Sequence, residues 1–119
     1  MRIWDAIPCS RLCRAHLLGE HRELHAIYAV IARGLAGYRN HPEVRRYRGH
    51  IDALLARHAE QAEEMLVRGW AHRSPLPRPR DNPPLPTPLA GYALQVLLLR
   101  AKASQGRCRG GRCLHQIRA

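Results

Sequence analysis

Long apolar runs are missing from this sequence. No stretch of about 18 or more consecutive apolar residues occurs, and a helix that crosses a bilayer needs such a stretch. The first eight residues also lack the apolar region of a secretory signal peptide. We therefore expect a cytoplasmic protein without a membrane partner.

The motifs of several common enzyme classes are missing as well. The chain has no glycine-rich phosphate loop, no HExxH zinc motif, no serine nucleophile elbow and no internal repeat. Lysine is almost absent, since Lys102 is the only one among the 119 residues. An enzyme that used a lysine side chain as its nucleophile would therefore have a single candidate.

Cysteine is scarce, and its spacing does not resemble that of zinc ligands. The four cysteines are Cys9, Cys13, Cys108 and Cys113. They form two pairs with three and four intervening residues, unlike the CxxC pairs of a zinc ribbon, and we expect free thiols in a reducing compartment. His21 and His25 have the spacing of metal ligands on one helix face, but no convincing third ligand follows. The sequence therefore predicts no metal site and no cofactor.

Acidic residues are few. Nine Asp and Glu stand against twenty Lys and Arg, which leaves a net charge of +11. All but one of the basic residues are arginine, whose guanidinium matches a phosphate in fork geometry. Nucleic acid is therefore the expected partner. A GC-rich coding sequence would also raise the arginine content, but it would not explain the excess of positive charge.

Hydrophobic periodicity predicts an all-α fold. Apolar residues from Cys9 to Leu35 fall on one side of a helix, and a second helical pattern that ends near Val67 has His58 in the middle of its apolar side. We expect a compact single domain of three main helices, followed by a flexible basic tail. The predicted order begins with an extended arm at residues 1–8 and a first helix from about residue 9 that frays around Gly34 and Gly37, with residues 37–42 as a turn. A second helix starts at about Pro42 or at Gly49 and runs to Val67. A proline-rich connector at 74–88, a last helix from 87 to the end of the domain at 104, and the tail at 105–119 complete the chain.

The first predicted helix carries polar residues on its core side. His16, Glu20 and Glu23 fall inside or at the edge of the apolar stripe. Carboxylates are rarely buried without a partner, so acids in this position are candidates for chemistry. An alternative of equal weight is that Glu20 and Glu23 are structural acids, buried against Arg or His from a second helix.

The block HLLGEHREL at residues 16–24, close behind the N-terminal Met-Arg-Ile, resembles the pyrimidine-dimer DNA glycosylases of the phage endonuclease V type. The similarity continues through GYRNHP at residues 37–42 to Arg68-Gly69-Trp70, and it looks like the bacterial and archaeal branch of that family. The family consists of helical base-excision enzymes that also have lyase activity at abasic sites. The aromatic C-terminal segment of the phage enzymes has no counterpart here.

The resemblance implies a nucleophile and a catalytic acid. The family's nucleophile is the N-terminal α-amine, here that of Met1, which attacks the sugar C1′ and forms a Schiff base. The catalytic acid corresponds to Glu23, which would assist opening of the sugar, hold the imine and take the C2′ proton. An α-amine suits this task, because its ordinary pKa is about 7.7 to 8.0 and that of lysine is about 10.4.

The resemblance also implies contacts with DNA. Arg2, His16 and Arg22 correspond to positions near the lesion and its phosphates. The family's arginine just after the catalytic acid is missing, so His25 would supply part of that contact. His21 lies with Arg22 and His25 on the cationic side of the helix, away from the apolar stripe, and is expected to contact DNA as well. The expected substrate is duplex DNA with damaged pyrimidines or abasic sites, bound by a monomer associated with the nucleoid.

Two other functions stay open on the sequence alone. One is a basic helical module that binds DNA or RNA without catalysis. Strand cleavage that is lost when the N-terminal amine is chemically capped would identify the enzyme instead. The other is a metal-dependent nuclease that uses His21, His25 and an acid. Full activity in excess EDTA would eliminate the nuclease.

Overall fold

A computed structural model describes residues 2–86 and 91–104 of the chain. These residues contain helices but no strand, which confirms the predicted all-α fold. The elements are a 3₁₀ turn at Cys9–Arg11 and the helices α1 (Arg14–Arg33), α2 (Pro42–Tyr47), α3 (Ile51–Val67) and α4 (Tyr92–Ser104). Within the described ranges, no helix is both long and apolar enough to span a membrane.

Helix α1 lies at the centre of the fold and packs mainly against α3. Its apolar stripe buries Leu17, Leu24 and Ile27 completely, as the periodicity predicted. The helix ends at Gly34, which has a φ of +66°. Glycine adopts this left-handed conformation without the steric cost that a Cβ atom brings, so the stop is encoded locally.

The predicted start of the first helix is wrong. The first helix begins at Arg14 and not near Cys9, because residues 9–11 form a separate 3₁₀ turn. For the second helix the sequence left Pro42 and Gly49 open as starts, and the structure agrees with the later one. A separate short helix, α2, precedes α3, and the chain turns between them at Gly49, where φ is +82°. A glycine at this conformation breaks a helix that the apolar pattern alone would continue.

Two leucines near the ends of the predicted helices are more exposed than expected. Leu35 and Leu66, which the pattern placed on apolar sides, are 46% and 66% exposed, because each lies at or beyond the end of its helix's contact with the core. The predicted helix start at residues 87–88 and the tail at 105–119 lie outside the described residues.

The N-terminal residues 2–8, which we call the arm, contribute to both halves of the core. Ile3 packs into a cluster with Leu24 and Ile27 of α1, whereas the next residue, Trp4, packs into a second cluster with Leu17 and with residues of α4. Ile3 and Trp4 are 1% and 4% exposed. The predicted extended arm is therefore a buried part of the fold.

The proline-rich connector has neither helix nor strand between residues 71 and 86, as predicted. It follows α3 back along the molecule. Arg80 forms an ion pair with Asp52 at the start of α3, with 2.8 Å between Nε and Oδ2, and Leu76 packs against the core cluster that contains Ile3. These contacts hold the connector close to the helices.

Candidate active site

Side chains from the helices supply hydrogen-bond partners for the backbone of the arm. The amide of Trp4 donates to Glu20 on α1, and the amide of Ile3 donates to Glu43 on α2, each at 2.7 Å. Buried backbone groups need such partners when no regular secondary structure provides them. Two buried carboxylates therefore fix the path of the chain just after its N-terminal residue.

Arg57 on α3 supports the same arrangement from the other side. Its Nε and Nη2 donate to the two oxygens of Glu20 at 2.8 and 3.0 Å. Its remaining donors bond the carbonyl oxygens of Trp4 and Ile7, both at 2.8 Å, and the side chain of Glu60 at 3.3 Å. Burial acts against the charged form, but Glu20 more than compensates and holds the pKa of Arg57 above its usual value.

Glu20 is fully engaged by these neighbours. Its side chain is completely buried, and Gln61 of α3 donates a further hydrogen bond to the oxygen that Arg57 also contacts. All of its interactions are with groups that stabilise the fold. The structural alternative is therefore confirmed for Glu20, which pairs with an arginine of a neighbouring helix.

A second ion-pair network ties the arm to α2 and α4. Arg46 contacts Glu43 at 2.7 Å and Asp5 of the arm at 2.8 Å. The other oxygen of Asp5 accepts a hydrogen bond at 2.9 Å from Gln95, which is 2% exposed. The arm is thus held at both edges by charged groups whose geometry is satisfied, and this leaves little freedom in its position.

Glu23 differs from Glu20 although it lies only one helical turn away. Its side chain is half-buried, and within the described ranges its carboxylate has no hydrogen-bond or ion-pair partner. A carboxylate that is partly shielded from water and has no structural partner is available to a substrate. The two acids on the apolar side of α1 therefore separate into a structural and an available group.

The available acid shares its side of α1 with His16. Seven residues separate them, so they lie about 20° apart around the helix and about 10 Å apart along it. The ring of His16 meets the edge of Trp4 at 6.0 Å, and the guanidinium carbon of Arg2 lies 5.3 Å from the centre of the Trp4 ring. We call this side, with His16, Glu23 and the arm residues Arg2 and Trp4, the arm flank.

An exposed arginine lies at the border of the arm flank. Arg22 is exposed next to Glu23 in the sequence. Burial, together with the charge of Lys102, lowers the pKa of His16, so its ring is neutral at pH 7. Met1, the predicted nucleophile, lies outside the described residues.

His21 and His25 occupy a different side of α1, about 160° around the helix from Glu23. There they meet His58 of α3 and His72 of the connector, with ring-centre distances of 4.6 Å between His21 and His25 and 5.1 Å between His58 and His72. Burial lowers the pKa of His21 and His25, and burial with the neighbouring imidazoles lowers that of His58 to about 4. We call these four residues the histidine cluster.

The histidine cluster was missed in the sequence because its members come from three separate segments. His58 on the apolar side of α3 was the available signal, but nothing in the linear pattern shows which residues it faces. The predicted DNA-binding histidines are therefore divided. The structure places His16 on the arm flank and both His21 and His25 in the cluster.

A shallow cationic depression lies beside α2. It is lined by Arg39, Asn40, Arg45 and Arg48, all of them exposed. Arg48 donates a hydrogen bond to the backbone oxygen of Arg39 at 3.1 Å, which holds two of the guanidinium-bearing segments together. Convergent arginines of this kind suit an oxygen-rich anion.

Comparison with known proteins adds a separate finding. Residues 1–77 match a family model described as pyrimidine dimer DNA glycosylase. No curated protein and no solved structure matches the chain. The matched segment covers well over half of the sequence and contains the arm, α1, α2, α3 and the whole histidine cluster.

Proposed function

The chain belongs to the pyrimidine dimer DNA glycosylase family, and from this premise we propose that it excises damaged pyrimidines from duplex DNA and cleaves the strand at the resulting abasic site. The observation that carries the proposal is the contrast on α1. Glu20 is consumed by Arg57 and Gln61, whereas Glu23 has no partner among the described residues and lies on the flank that the arm borders.

We assign the nucleophile to the α-amine of Met1. The course of the arm supports this choice, because Trp4 bonds Glu20 and the preceding Ile3 packs with Leu24 and Ile27. Followed backwards from Trp4 to Ile3, the arm therefore runs along α1 in the direction of the C-terminal end of that helix, from the level of Glu20 past that of Glu23. Two further residues span at most about 7 Å, so the amine stays in the neighbourhood of this part of α1.

The reaction follows from these two groups. The neutral amine bonds to C1′ while the bond from C1′ to the base breaks, and the base leaves with the proton that the amine loses. The ring oxygen O4′ then takes a proton from Glu23 as the sugar opens, and the nitrogen becomes an iminium. The Glu23 carboxylate next removes a C2′ proton, and the C3′–O bond breaks with release of the phosphate. Water hydrolyses the imine and returns the free amine.

Positive charge holds the DNA during this chemistry. To reach C1′ the protein must extrude a nucleotide from the duplex, which costs a few kcal/mol in lost stacking and pairing. Contacts between arginines and phosphates offset that cost. We assign Arg2 and Arg22 to phosphates near the lesion, with neutral His16 as a hydrogen-bonding group, and the depression at Arg45 and Arg48 to the backbone farther away.

Trapping with borohydride tests the proposal directly. Reduction during a reaction with abasic-site duplex should yield a stable covalent complex, because borohydride reduces an imine to an amine. Mass spectrometry of the digested complex should locate the adduct on Met1. The matched control is Lys102→Arg, which removes the single lysine and should trap as well as the parent chain.

Two results would reject this assignment. One is an adduct on Lys102 in the parent chain. The other is cleavage by a preparation that forms no adduct at all, since strand cleavage without an imine requires a different mechanism.

A further inference from the structure

The histidine cluster brings four imidazoles together from three parts of the chain. His21 and His25 come from successive turns of α1, His58 from α3 and His72 from the connector. One ring nitrogen of each residue lies within 4.8 Å of the corresponding nitrogen of every other. No carboxylate or thiolate belongs to this group within the residues that the structure describes.

Two of these nitrogens lack any hydrogen-bond partner. They are Nε2 of His25 and Nε2 of His58, and they are the only buried side-chain nitrogen or oxygen atoms without a partner in residues 2–86 and 91–104. His58 is only 5% exposed. Buried polar atoms are nearly always paired, so two unpaired nitrogens on members of one group of imidazoles point to a missing ligand.

A chain of hydrogen bonds orients the third imidazole. Gln61 uses its amide nitrogen to donate to Glu20, so its oxygen is left to accept from Nδ1 of His21 at 2.9 Å. His21 therefore carries its proton on Nδ1, and the lone pair of its Nε2 is left to accept from the Ser74 hydroxyl, 3.2 Å away, or to bind an ion. Histidines that bind metals are commonly fixed by such a donation from the second ring nitrogen.

A hydroxyl connects the fourth imidazole to the third. Oγ of Ser74 lies 3.2 Å from Nε2 of His21 and 3.3 Å from Nε2 of His72. A single hydroxyl proton can satisfy only one of these nitrogens as an acceptor. The other nitrogen is left without that proton, and His21 and His72 each contribute a ring nitrogen to the group of four that lies within 4.8 Å.

We propose that His21, His25, His58 and His72 bind one divalent transition-metal ion, and that Zn²⁺ is the ion that fits best. Four nitrogen ligands complete the tetrahedral shell that Zn²⁺ prefers, whereas Mg²⁺ and Ca²⁺ require oxygen ligands. Ligands of a tetrahedral ion with bonds of about 2.0 to 2.1 Å lie about 3.4 Å apart, so small ring rotations convert the observed arrangement into the bound one.

The role of this ion is structural. Four protein ligands leave no coordination position for a water molecule or a substrate, unlike the open sites of zinc enzymes. The ion joins α1 and α3 to the connector through His72, which lies five residues after α3 ends. It also lies about 160° around α1 from Glu23, so DNA cleavage does not require it.

Metal binding by the whole chain, purified without a histidine tag and stripped with EDTA, tests this inference. Calorimetric titration with ZnCl₂ should give one ion per chain, and Co²⁺ should produce the strong visible absorption of a four-coordinate site. Readdition of Zn²⁺ should raise the melting temperature. His58→Gln and His72→Gln should each lower Zn²⁺ affinity at least 100-fold.

Matched variants separate coordination from general damage to the fold. His50→Gln removes a histidine outside the cluster, and Ser74→Ala removes the bridging hydroxyl but no ligand, so both should keep one Zn²⁺ per chain. His72 lies on the connector and not in a helix, so His72→Gln remains informative if His58→Gln does not fold. The inference is overturned if the parent chain binds less than one equivalent of Zn²⁺. It is also overturned if His72→Gln binds as tightly as the parent, or if Co²⁺ shows only the weak absorption of a six-coordinate ion.

Discussion

The two sides of α1 differ in how completely their polar groups are satisfied. On the arm flank, Glu23 is half-buried and has no partner among the described residues. On the other side, His58 is almost entirely buried, and Nε2 of His25 and Nε2 of His58 have no hydrogen-bond partner among the described residues. Between the two sides, Glu20 makes every bond that its carboxylate can make.

The difference shows that a polar group without a hydrogen-bond partner can indicate either a substrate site or a site for a bound ligand. A carboxylate that reaches solvent at the edge of the arm can be free because a substrate completes it. A buried imidazole such as His58 has no such access, and the proposed metal ion is a resident partner for it. Glu20 separates the two regions physically, since its Arg57 bonds hold the arm and its Gln61 bond orients the histidine cluster.

The largest expected effect comes from removing the group on which both sides depend. Arg57→Met leaves Glu20 as a buried charge without a cation and removes the donors to the carbonyls of Trp4 and Ile7. Breaking a buried pair in this way costs about 3–5 kcal/mol of unfolding free energy. Urea denaturation of the parent and the variant measures the loss.

The control for this prediction is a second ion pair of the same length. Nε of Arg80 also lies 2.8 Å from its carboxylate, that of Asp52, but the Arg80 side chain is 78% exposed. Arg80→Met should therefore change the unfolding free energy by less than about 1 kcal/mol. Equal losses in the two variants would show that the Glu20 network does not organise the two sides of α1.

The sequence predicted the features of α1 that depend on local pattern. The apolar periodicity indicated the helix itself, and the placement of Glu20 and Glu23 on its apolar side indicated that both were unusual. Which of them was structural depended on Arg57 and Gln61, which are 37 and 41 residues away from Glu20. Single-sequence periodicity carries no information about such partners.

Other features were hidden for the same reason. The histidine cluster joins residues up to 51 positions apart, and the partners of the arm's backbone come from all four helices. The sequence left the start of the second helix open between Pro42 and Gly49 for a different reason. The apolar pattern continues across Gly49, but the positive φ of that glycine ends the helix.

A second prediction sharpens the contrast between the two acids. Glu23→Gln keeps the size of the side chain and its hydrogen bonding but cannot take or give the proton that the proposed reaction needs. Strand cleavage at abasic sites should fall about 10²-fold or more, while the unfolding free energy and DNA affinity stay close to those of the parent. Single-turnover kinetics with excess enzyme measure the cleavage step without the binding step.

Glu63→Gln is the matched control, because Glu63 is an exposed acid on α3 and the proposed reaction gives it no role. It should cleave at the parent rate. If Glu23→Gln also retained that rate, Glu23 would not be the acid of the reaction. A large loss of stability in Glu23→Gln would instead make it a structural acid like Glu20, and the contrast between the two sides of α1 would disappear.

The smallest expected effect tests whether the arm flank faces DNA at all. If Arg22 neutralises one phosphate there, Arg22→Ala should reduce the slope of log affinity against log salt by about 0.9, because one fewer counterion is released on binding. Arg78→Ala removes an exposed arginine of the connector and should leave the slope unchanged. Fluorescence anisotropy with a duplex that contains an abasic-site analogue, measured over a series of salt concentrations, gives both slopes. If the two variants gave equal slopes, Arg22 would contribute no more to phosphate binding than an exposed arginine of the connector. The DNA would then lie on a surface other than the arm flank.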